Sequence, residues 1–265
     1  MKHCLTIAGS DCSGGAGIQA DLKTFAAHGA FGMSVITSVV AENTVRVLSA
    51  LDVPAQTVRE QMDAVFEDIR VDAVKIGMLP SAAVMDAVAD KLVQYGVRRA
   101  VVDPVMLAKG GGVLMRAEAL DAMRRKIVPL SYVLTPNLPE AEALTGLKIE
   151  DEAGMAAAAR ALHAMGAKNV LVKGGHLMGE ACDLLFDGTS FTRYAAARID
   201  SKNTHGTGCT LSSAIAARLA CGDALPQAVA AAKEYVTEAI RRAPSIGHGF
   251  GPMDHFFAWT EEERL

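Results

Sequence analysis

The sequence predicts an α/β protein in which a mostly parallel central sheet lies between two layers of helices. Short apolar runs alternate with amphipathic segments of helical length, which is the pattern of strand–helix–strand units. Most of the runs end at Gly, Pro or Asp, as buried parallel strands commonly do. The 265 residues are 51% hydrophobic, which is enough for a sizeable core and excludes a largely disordered chain.

Each predicted strand is a short apolar run bounded by turn residues. Such runs lie at residues 4–8, 33–40, 48–53, 73–76, 100–102, 132–135 and 169–173. Helices are predicted at residues 16–29, 54–69, 81–95, 116–129, 151–165, 207–221 and 224–241. Within them, apolar residues such as Leu92, Leu120 and Leu162 recur at helical spacing, so we expect them to face the sheet.

A hairpin is predicted after the last of these strands. Residues 182–186 and 190–194 flank Asp187-Gly188, and Asp-Gly between β-forming residues is a strong hairpin signal. No linker, repeat or low-complexity tract interrupts the chain. We therefore expect a single domain that spans residues 1–265.

Charge, cysteine content and hydropathy exclude several classes of protein. The formal net charge is −4 and no basic stripe is visible, so we expect no nucleic-acid partner. The five cysteines are scattered without zinc-site spacing, which indicates the reducing cytoplasm. The apolar run at residues 4–9 is short for a signal peptide, and no apolar stretch approaches the ~20 residues of a membrane span. We therefore expect no membrane association.

Polar, glycine and proline residues follow most of the predicted strands. They are Gly9-Ser10-Asp11, Glu42-Asn43-Thr44, Gly77-Met78, Asp103-Pro104-Val105, Pro136-Asn137 and Gly174-Gly175-His176. Ligands of open α/β sheets bind at the carboxyl ends of the strands. These residues therefore predict a binding site at one edge of the sheet.

A glycine-rich segment opens the helix predicted at residues 207–221. Glycines allow successive backbone N–H groups to converge on an anion, and a helix N-terminus adds a partial positive charge. We therefore expect Gly206, Thr207 and Gly208 to bind a phosphate. The alternative is an ordinary helix start that Thr207 caps.

Cys209 lies in the first turn of the same helix. A helix N-terminus can lower the pKa of a thiol below its usual ~8.5, which makes Cys209 a candidate base or hydrogen-bonding group. The alternative is a small residue that packs in the apolar core.

Two further strand ends carry candidate ligands for phosphate and metal. Asn137 and Glu140 are three residues apart at a helix start, where they suit either Mg²⁺ held through water beside phosphates or a capping box. Lys173 precedes Gly174-Gly175, and a lysine point charge suits a transferring phosphoryl group. A solvated lysine is the alternative.

A dinucleotide fingerprint is also present. Gly15-Ala16-Gly17-Ile18-Gln19-Ala20 matches G-x-G-x-x-A, and Glu42 follows at about the right distance. A polar insert at residues 9–14, however, separates the first strand from this turn, and a second glycine-rich anion site lies at residues 206–208. Two such sites favour a two-substrate transferase over a nicotinamide-dependent enzyme. The chain has no Gly-Lys-Ser/Thr, so a Walker A motif is excluded.

Taken together, these segments resemble one family from end to end. The carriers are residues 5–11 (LTIAGSD), 14–24 (GGAGIQADLKT), 75–79 (KIGML), 103–106 (DPVM), 135–140 (TPNLPE), 173–176 (KGGH), 204–210 (THGTGCT) and 247–249 (GHG). The chain thus resembles the hydroxymethylpyrimidine/phosphomethylpyrimidine kinases of thiamine biosynthesis, within the ribokinase superfamily.

The resemblance implies a ribokinase-like three-layer α/β/α fold and two successive phosphorylations. ATP would phosphorylate the hydroxymethyl group of 4-amino-5-hydroxymethyl-2-methylpyrimidine and then the resulting monophosphate. Mg²⁺ and a homodimer are implied as well, and a monovalent cation is compatible with the resemblance. Many sugar kinases of the superfamily carry Asp, as a base, at the position of Cys209.

The resemblance also assigns residues to the site. Gly9, Ala16, Asp21, Val40, Glu42, Met78 and Val105 would line the pyrimidine pocket. Gly206, Thr207, Gly208 and Cys209 would form the catalytic anion hole with Lys173, while Asp103, Asn137, Lys173 and Thr204 would serve the phosphates of ATP, and Asp103 and Glu140 would serve Mg²⁺.

Glu42 departs from the family pattern, which has Gln at this position. Gln offers one donor and one acceptor, which match the amino group and ring nitrogen of an aminopyrimidine, whereas an ionised Glu only accepts. Three explanations are open: Glu42 binds protonated because burial raises its pKa, the ring nitrogen is protonated, or the preferred ring differs. A Glu42 that points into solvent is the alternative.

Three other interpretations are open at this point. A pyridoxal kinase, or a bifunctional enzyme, would have the same fold and similar motifs. A binding protein on a kinase scaffold belongs to a different class, and the retained Lys173, Asn137 and Glu140 argue against it. Residues 109–112 form either a hinge that closes over the site or a surface turn.

Overall fold

A nine-stranded sheet organises the chain. The computed structural model describes residues 1–106, 117–175 and 181–259. The strands of these ranges are β1 (Lys2–Asp11), β2 (Ala30–Glu42), β3 (Val47–Asp52), β4 (Ala73–Ile76), β5 (Ala100–Val102), β6 (Val133–Leu134), β7 (Val170–Lys173), β8 (Ala181–Phe186) and β9 (Phe191–Ala196). Their order in the sheet is β3-β2-β1-β4-β5-β6-β7-β8-β9.

The sheet is parallel through its centre and antiparallel at both ends. The six strands from β2 to β7 in the sheet order run parallel. Strand β3 pairs antiparallel with β2 at one edge, and β8 and β9 continue antiparallel from β7 at the other. The predicted mostly parallel sheet and the predicted hairpin around Asp187-Gly188 are both confirmed.

Helices cover both faces of the sheet. They are α1 (Gly17–Ala27), α2 (Ala55–Phe66), α3 (Ala82–Gln94), α4 (Ala117–Ala122), α5 (Leu138–Thr145), α6 (Glu152–Ala164), α7 (Thr207–Cys221) and α8 (Leu225–Arg241). One apolar core joins the sheet to α2, α3, α5 and α6, and a second core joins its other face to α1, α7 and α8. The three-layer α/β/α fold is therefore confirmed.

Two strands extend beyond their predicted bounds into the polar residues at their ends. Ser10 and Asp11 of β1 pair with Val39 and Val40 of β2, after a shift of register that follows Ala8. Backbone pairing thus continues where the apolar pattern stops, because a ladder of hydrogen bonds does not depend on side-chain hydropathy. The extension carries Asp11 and Glu42 to the edge where the predicted site lies.

The helix predicted at residues 116–129 is more irregular than expected. Within the described residues, α4 is followed by a π-helical turn over Met123–Ile127 and a 3-10 turn over Val128–Leu130. Pro129 lacks a backbone N–H and cannot continue an α-helix, which accounts for the tightened end. The helical start indicated by Asn137 and Glu140 is confirmed by α5, which ends at Gly146 with a positive φ of 75°.

All five cysteines are free thiols. Among the helices of the described residues, none combines the length and the apolar character needed to cross a membrane.

Candidate active site

A cavity of about 1250 Å³ opens at the carboxyl ends of the parallel strands. It is lined by nearly all of the predicted site residues: Gly9, Ala16, Val40, Glu42, Met78, Asp103, Val105, Asn137, Glu140, Lys173, Thr204, Gly206, Thr207, Gly208 and Cys209. Segments that are far apart in the sequence meet here because the parallel strands all end at this edge.

The N-terminus of α7 forms one wall of the cavity. Gly206 is the N-cap residue, with a left-handed φ of 79°, and no side chain caps it. The Thr207 hydroxyl donates instead to the Thr204 carbonyl oxygen, at 2.7 Å. The alternative of a start capped by Thr207 is therefore wrong. The start of α7 lines the cavity, and its role as an anion hole stays a prediction.

A buried ion pair faces this helix terminus. Lys173 Nζ lies 2.6 Å from Asp103 Oδ1, and both side chains are largely buried. Burial opposes the charge on Lys173, but the carboxylates of Asp103 and Glu140 outweigh it, so the pKa of Lys173 is raised and the ammonium is kept. A Cβ at Gly208 would lie 3.3 Å from Lys173 Nζ. The cation and the helix terminus therefore act on the same part of the cavity, and Lys173 is not a solvated surface lysine.

Asn137 and Glu140 form the capping box of α5. The Glu140 backbone N–H donates to Asn137 Oδ1 at 2.9 Å, and Glu140 Oε2 accepts from the Asn137 backbone N–H at 2.8 Å. The capping interpretation is confirmed. Burial raises the pKa of Glu140 to about 7, with Lys173 opposing the shift and Asp103 adding to it. Both residues also line the cavity. The role of Glu140 in binding a metal therefore stays a prediction.

The expectation of a lowered thiol pKa at Cys209 is wrong. Loss of water around the thiol raises its pKa to about 11, although the nearby Lys75 acts in the opposite direction. Desolvation therefore outweighs the helix terminus and the lysine charge. A thiol with such a pKa is neutral at physiological pH, so Cys209 is suited to hydrogen bonding and poorly suited to act as a base.

Asp21 does not line the cavity, contrary to the prediction. Its side chain is fully buried on α1, where it forms an ion pair with Lys75 at 2.8 Å. It also accepts hydrogen bonds from the hydroxyls of Thr6 and Ser213, at 2.6 and 2.7 Å. These partners come from β1, β4 and α7 and hold Asp21 between the helices and the sheet, so it cannot reach a ligand.

Asp11 and His205 form a second pair, to which the sequence assigned no role. Asp11 Oδ2 lies 2.9 Å from His205 Nε2 and accepts the backbone N–H groups of Gly15 and Ala16. These hydrogen bonds outweigh the effect of burial and hold the pKa of Asp11 well below its usual range. The pair joins the loop after β1 to the loop before α7. The sequence signals were the place of Asp11 at a predicted strand end and the place of both residues within motifs that carry the family resemblance.

Glu42 lies beside this pair. One carboxylate oxygen of Glu42, one of Asp11 and one ring nitrogen of His205 all lie within 4.8 Å of one another. Burial and the negative charge of Asp11 raise the pKa of Glu42, while His205 opposes the shift. Glu42 lines the cavity and is not directed into solvent, and the upward direction of its pKa agrees with the explanation that burial helps it to bind protonated. Residues 109–112, considered above as a hinge, lie outside the described residues.

The fold and the site together define a ribokinase-like small-molecule kinase. The family model of phosphomethylpyrimidine kinases matches residues 11–254. The chain therefore belongs to the phosphomethylpyrimidine kinase family.

Three known proteins illustrate this relationship. The hydroxymethylpyrimidine/phosphomethylpyrimidine kinase of Rhizobium meliloti is 54% identical over 262 residues, which cover 97% of this chain and 98% of that protein. The thiamine biosynthesis bifunctional protein ThiED of Geobacter sulfurreducens is 55% identical over 255 residues, which cover 96% of this chain and 52% of that protein. This chain thus spans about half the length of the bifunctional relative. The solved structure of a pyridoxal kinase of Bacillus subtilis in complex with ADP superposes with a TM-score of 0.90, at 39% identity, and covers 96% of this chain and 97% of that one.

Proposed function

We propose that this chain transfers phosphoryl groups from ATP to 4-amino-5-hydroxymethyl-2-methylpyrimidine and then to its monophosphate, in thiamine biosynthesis or salvage. The main support is the uncapped N-terminus of α7, which shares the cavity with the Lys173–Asp103 pair. The transferring phosphoryl group needs concentrated positive charge at a fixed place, and these elements supply it. The relative of Rhizobium meliloti carries this activity in its name.

The two ends of the cavity would bind different parts of the substrates. Gly206, Thr207 and Gly208 would bind the transferring phosphoryl group through backbone N–H groups, and Lys173 would neutralise its charge. Thr204 and Asn137 would orient the remaining phosphates of ATP. The other end, around Gly9, Ala16, Val40, Glu42, Met78 and Val105, would hold the pyrimidine ring.

Mg²⁺ fits the acidic residues of this cavity. Asp103 uses one carboxylate oxygen for Lys173, and Glu140 uses one for the capping box. The Glu140 carboxylate also accepts the backbone N–H of Met106. Hard oxygen ligands beside phosphates, such as these two carboxylates, are what Mg²⁺ prefers. When bound, Mg²⁺ would neutralise phosphate charge. A monovalent cation, a cytoplasmic location and a single domain remain predictions.

A homodimer also remains a prediction. Leu48 and Leu51 of the edge strand β3 are exposed, which offers an apolar surface for a second copy.

Phosphorus NMR tests the proposed function. The chain is incubated with ATP, Mg²⁺ and one of three acceptors: the pyrimidine alcohol, its monophosphate or pyridoxal. We expect a monophosphate from the first acceptor and a diphosphate from the second. Turnover of pyridoxal alone would favour the pyridoxal kinase alternative, which the similarity to the Bacillus subtilis enzyme supports. No turnover of any acceptor would favour a binding protein.

Replacement of Cys209 by aspartate should harm the second phosphorylation more than the first. The nucleophile of the second step is already an anionic phosphate, which a fixed carboxylate would repel and the neutral thiol does not. We expect kcat/KM for the second step to fall about ten-fold further than for the first, which corresponds to a repulsion of ~1.4 kcal/mol. Cys209→Asn is the uncharged control, and equal losses in both steps for Cys209→Asp would refute the argument.

Replacement of Glu42 by glutamine should remove a pH dependence. Burial and Asp11 raise the pKa of Glu42, so the neutral acid is present below that pKa and is lost as the pH rises through it. If binding of an aminopyrimidine needs one proton shared between Glu42 and the ring, loss of that proton weakens binding. We therefore expect kcat/KM to fall with rising pH, whichever partner carries the proton. Gln carries its donor at every pH, so this fall should be absent from the Glu42→Gln profile.

The measurement compares pH profiles of kcat/KM for several substituted pyrimidines. Identical profiles and identical relative rates in wild type and Glu42→Gln would show that Glu42 does not contact the ring.

A further inference from the structure

A strap near the C-terminus, residues 246–253, joins the two ends of the active-site cavity. We propose that this strap holds the anion hole in register with the turn after Glu42, and that Thr44 is the positioning residue at its far end. The inference rests on the proposed kinase function, because it concerns the same anion hole. It accounts for the Gly247-His248-Gly249 motif, to which the catalytic mechanism gives no task.

Thr44 fastens the first part of the strap. Its Oγ1 accepts the backbone N–H groups of His248 and Gly249, at 3.2 and 3.1 Å. Its carbonyl oxygen accepts the backbone N–H of Phe250, at 2.8 Å. Three successive N–H groups of the strap thus converge on one residue, which lies in the turn between β2 and β3 and two positions after Glu42.

The glycines of the motif permit this close approach. Gly247 has a left-handed φ of 77°, and a Cβ there would overlap the Thr44 side chain. A Cβ at Gly249 would overlap the Thr44 carbonyl oxygen. Any larger residue at these two positions would push the strap away from Thr44 and break the hydrogen bonds. The close approach of Thr44 therefore explains why both positions are glycine.

The second part of the strap fastens the anion-hole loop. The His205 backbone N–H donates to the Gly251 carbonyl oxygen at 3.1 Å, and His205 forms a bridge with Pro252. Met253 Sδ lies 3.7 Å from the Thr207 hydroxyl. The strap therefore contacts the loop before α7 and the first residue of that helix.

The chain continues this support into α7 itself. His255, two residues beyond the strap, is buried, and its Nε2 lies 3.1 Å from Thr210 Oγ1. The anion hole is thus braced on one side by the strap and on the other by the Asp11–His205 pair. Because misplacement of reacting groups by about 1 Å can cost ~10²-fold in rate, a loose strap should be visible in catalysis.

Thr44→Val tests the role of the strap. Valine keeps the shape of threonine but removes the oxygen that accepts from His248 and Gly249. We expect kcat to fall ~10-fold while KM for both substrates changes less than ~2-fold, because the anion hole acts mainly on the transition state. Thr44→Ser restores the acceptor and should recover kcat to within ~3-fold of wild type. Thr192→Val makes the same change on the exposed face of β9 and should leave the kinetics unchanged.

A second measurement needs no turnover. Iodoacetamide labelling of Cys209, followed by peptide mass spectrometry, reports how well the first turn of α7 is held. We expect faster labelling in Thr44→Val than in wild type and wild-type labelling in Thr44→Ser. An inactive wild-type chain would refute the proposed kinase function, and the labelling rates would still test the strap.

Two results would overturn the inference. One is unchanged kcat and unchanged Cys209 labelling in Thr44→Val. The other is a loss of activity that appears as a raised KM, or that Thr44→Ser does not recover, because either would show that Thr44 supports substrate binding or general stability and does not position the anion hole.

Discussion

Replacement of Lys75 by methionine should lower the free energy of unfolding by about 3–5 kcal/mol, because it leaves a buried carboxylate without its counter-charge. Lys75 and Asp21 are both fully buried, and their charged atoms are 2.8 Å apart. Asp21 holds the pKa of Lys75 above its usual value against the effect of burial. In the variant, Asp21 would retain the hydroxyls of Thr6 and Ser213 as its only described partners.

Urea unfolding followed by circular dichroism measures this effect. The matched control is Lys126→Met, which removes the lysine of an exposed pair with Asp86 and should cost at most about 1 kcal/mol. The double variant Lys75→Met/Asp21→Asn removes both buried charges and should recover much of the lost stability. A Lys75→Met variant as stable as Lys126→Met would contradict the buried-pair argument.

Replacement of Gly206 by alanine should lower kcat by about 10²–10³-fold, because the anion hole would lose its donor geometry. Gly206 adopts a left-handed φ of 79°, which costs a non-glycine residue of order 1–3 kcal/mol. The added Cβ would also overlap the carbonyl oxygen of Gly15, in the loop after β1. Both effects would displace the first N–H groups of α7 from the phosphoryl group.

Gly146→Ala separates the clash from the strain. Gly146 ends α5 with a φ of 75° and a ψ of 4°, close to the 79° and 7° of Gly206, and a Cβ there would meet nothing within 4 Å. We expect Gly146→Ala to lose some stability and to keep its kcat. The test compares kcat of purified wild type, Gly206→Ala and Gly146→Ala, after circular dichroism has shown that all three are folded. A Gly206→Ala variant with wild-type kcat would remove the anion hole from the mechanism.

Much of the candidate site could be predicted because its residues belong to local patterns. The position of Gly206 and Gly208 at the start of a long helix predicts a phosphate site. The position of Lys173 at a strand end predicts a cation beside it. Each of these signals lies within a few residues of sequence. The carboxyl ends of parallel strands lie at one edge of the sheet. Residues that follow different strands could therefore be predicted to line the same cavity.

The predictions for Asp21 and Cys209 were wrong. The family resemblance assigned Asp21 to the pyrimidine pocket, but its side chain is held by Lys75, 54 positions further along the chain. For Cys209, the local signal was a helix terminus, whereas the burial that raises its pKa to about 11 comes from packing. Burial and counter-charges depend on residues distant in sequence, which no local pattern contains.

The sequence by itself determined the layered α/β architecture and the glycine-rich start of α7, because hydropathy period and glycine placement act over short distances. The tertiary structure decided which acidic residues face the cavity, since only packing distinguishes Asp11 and Glu42 from the buried Asp21. It also decided that the strap joins Thr44 to His205. The hydrogen bonds from the strap to the Thr44 side chain span 204 and 205 positions of sequence, and no local pattern contains a pairing between residues so far apart.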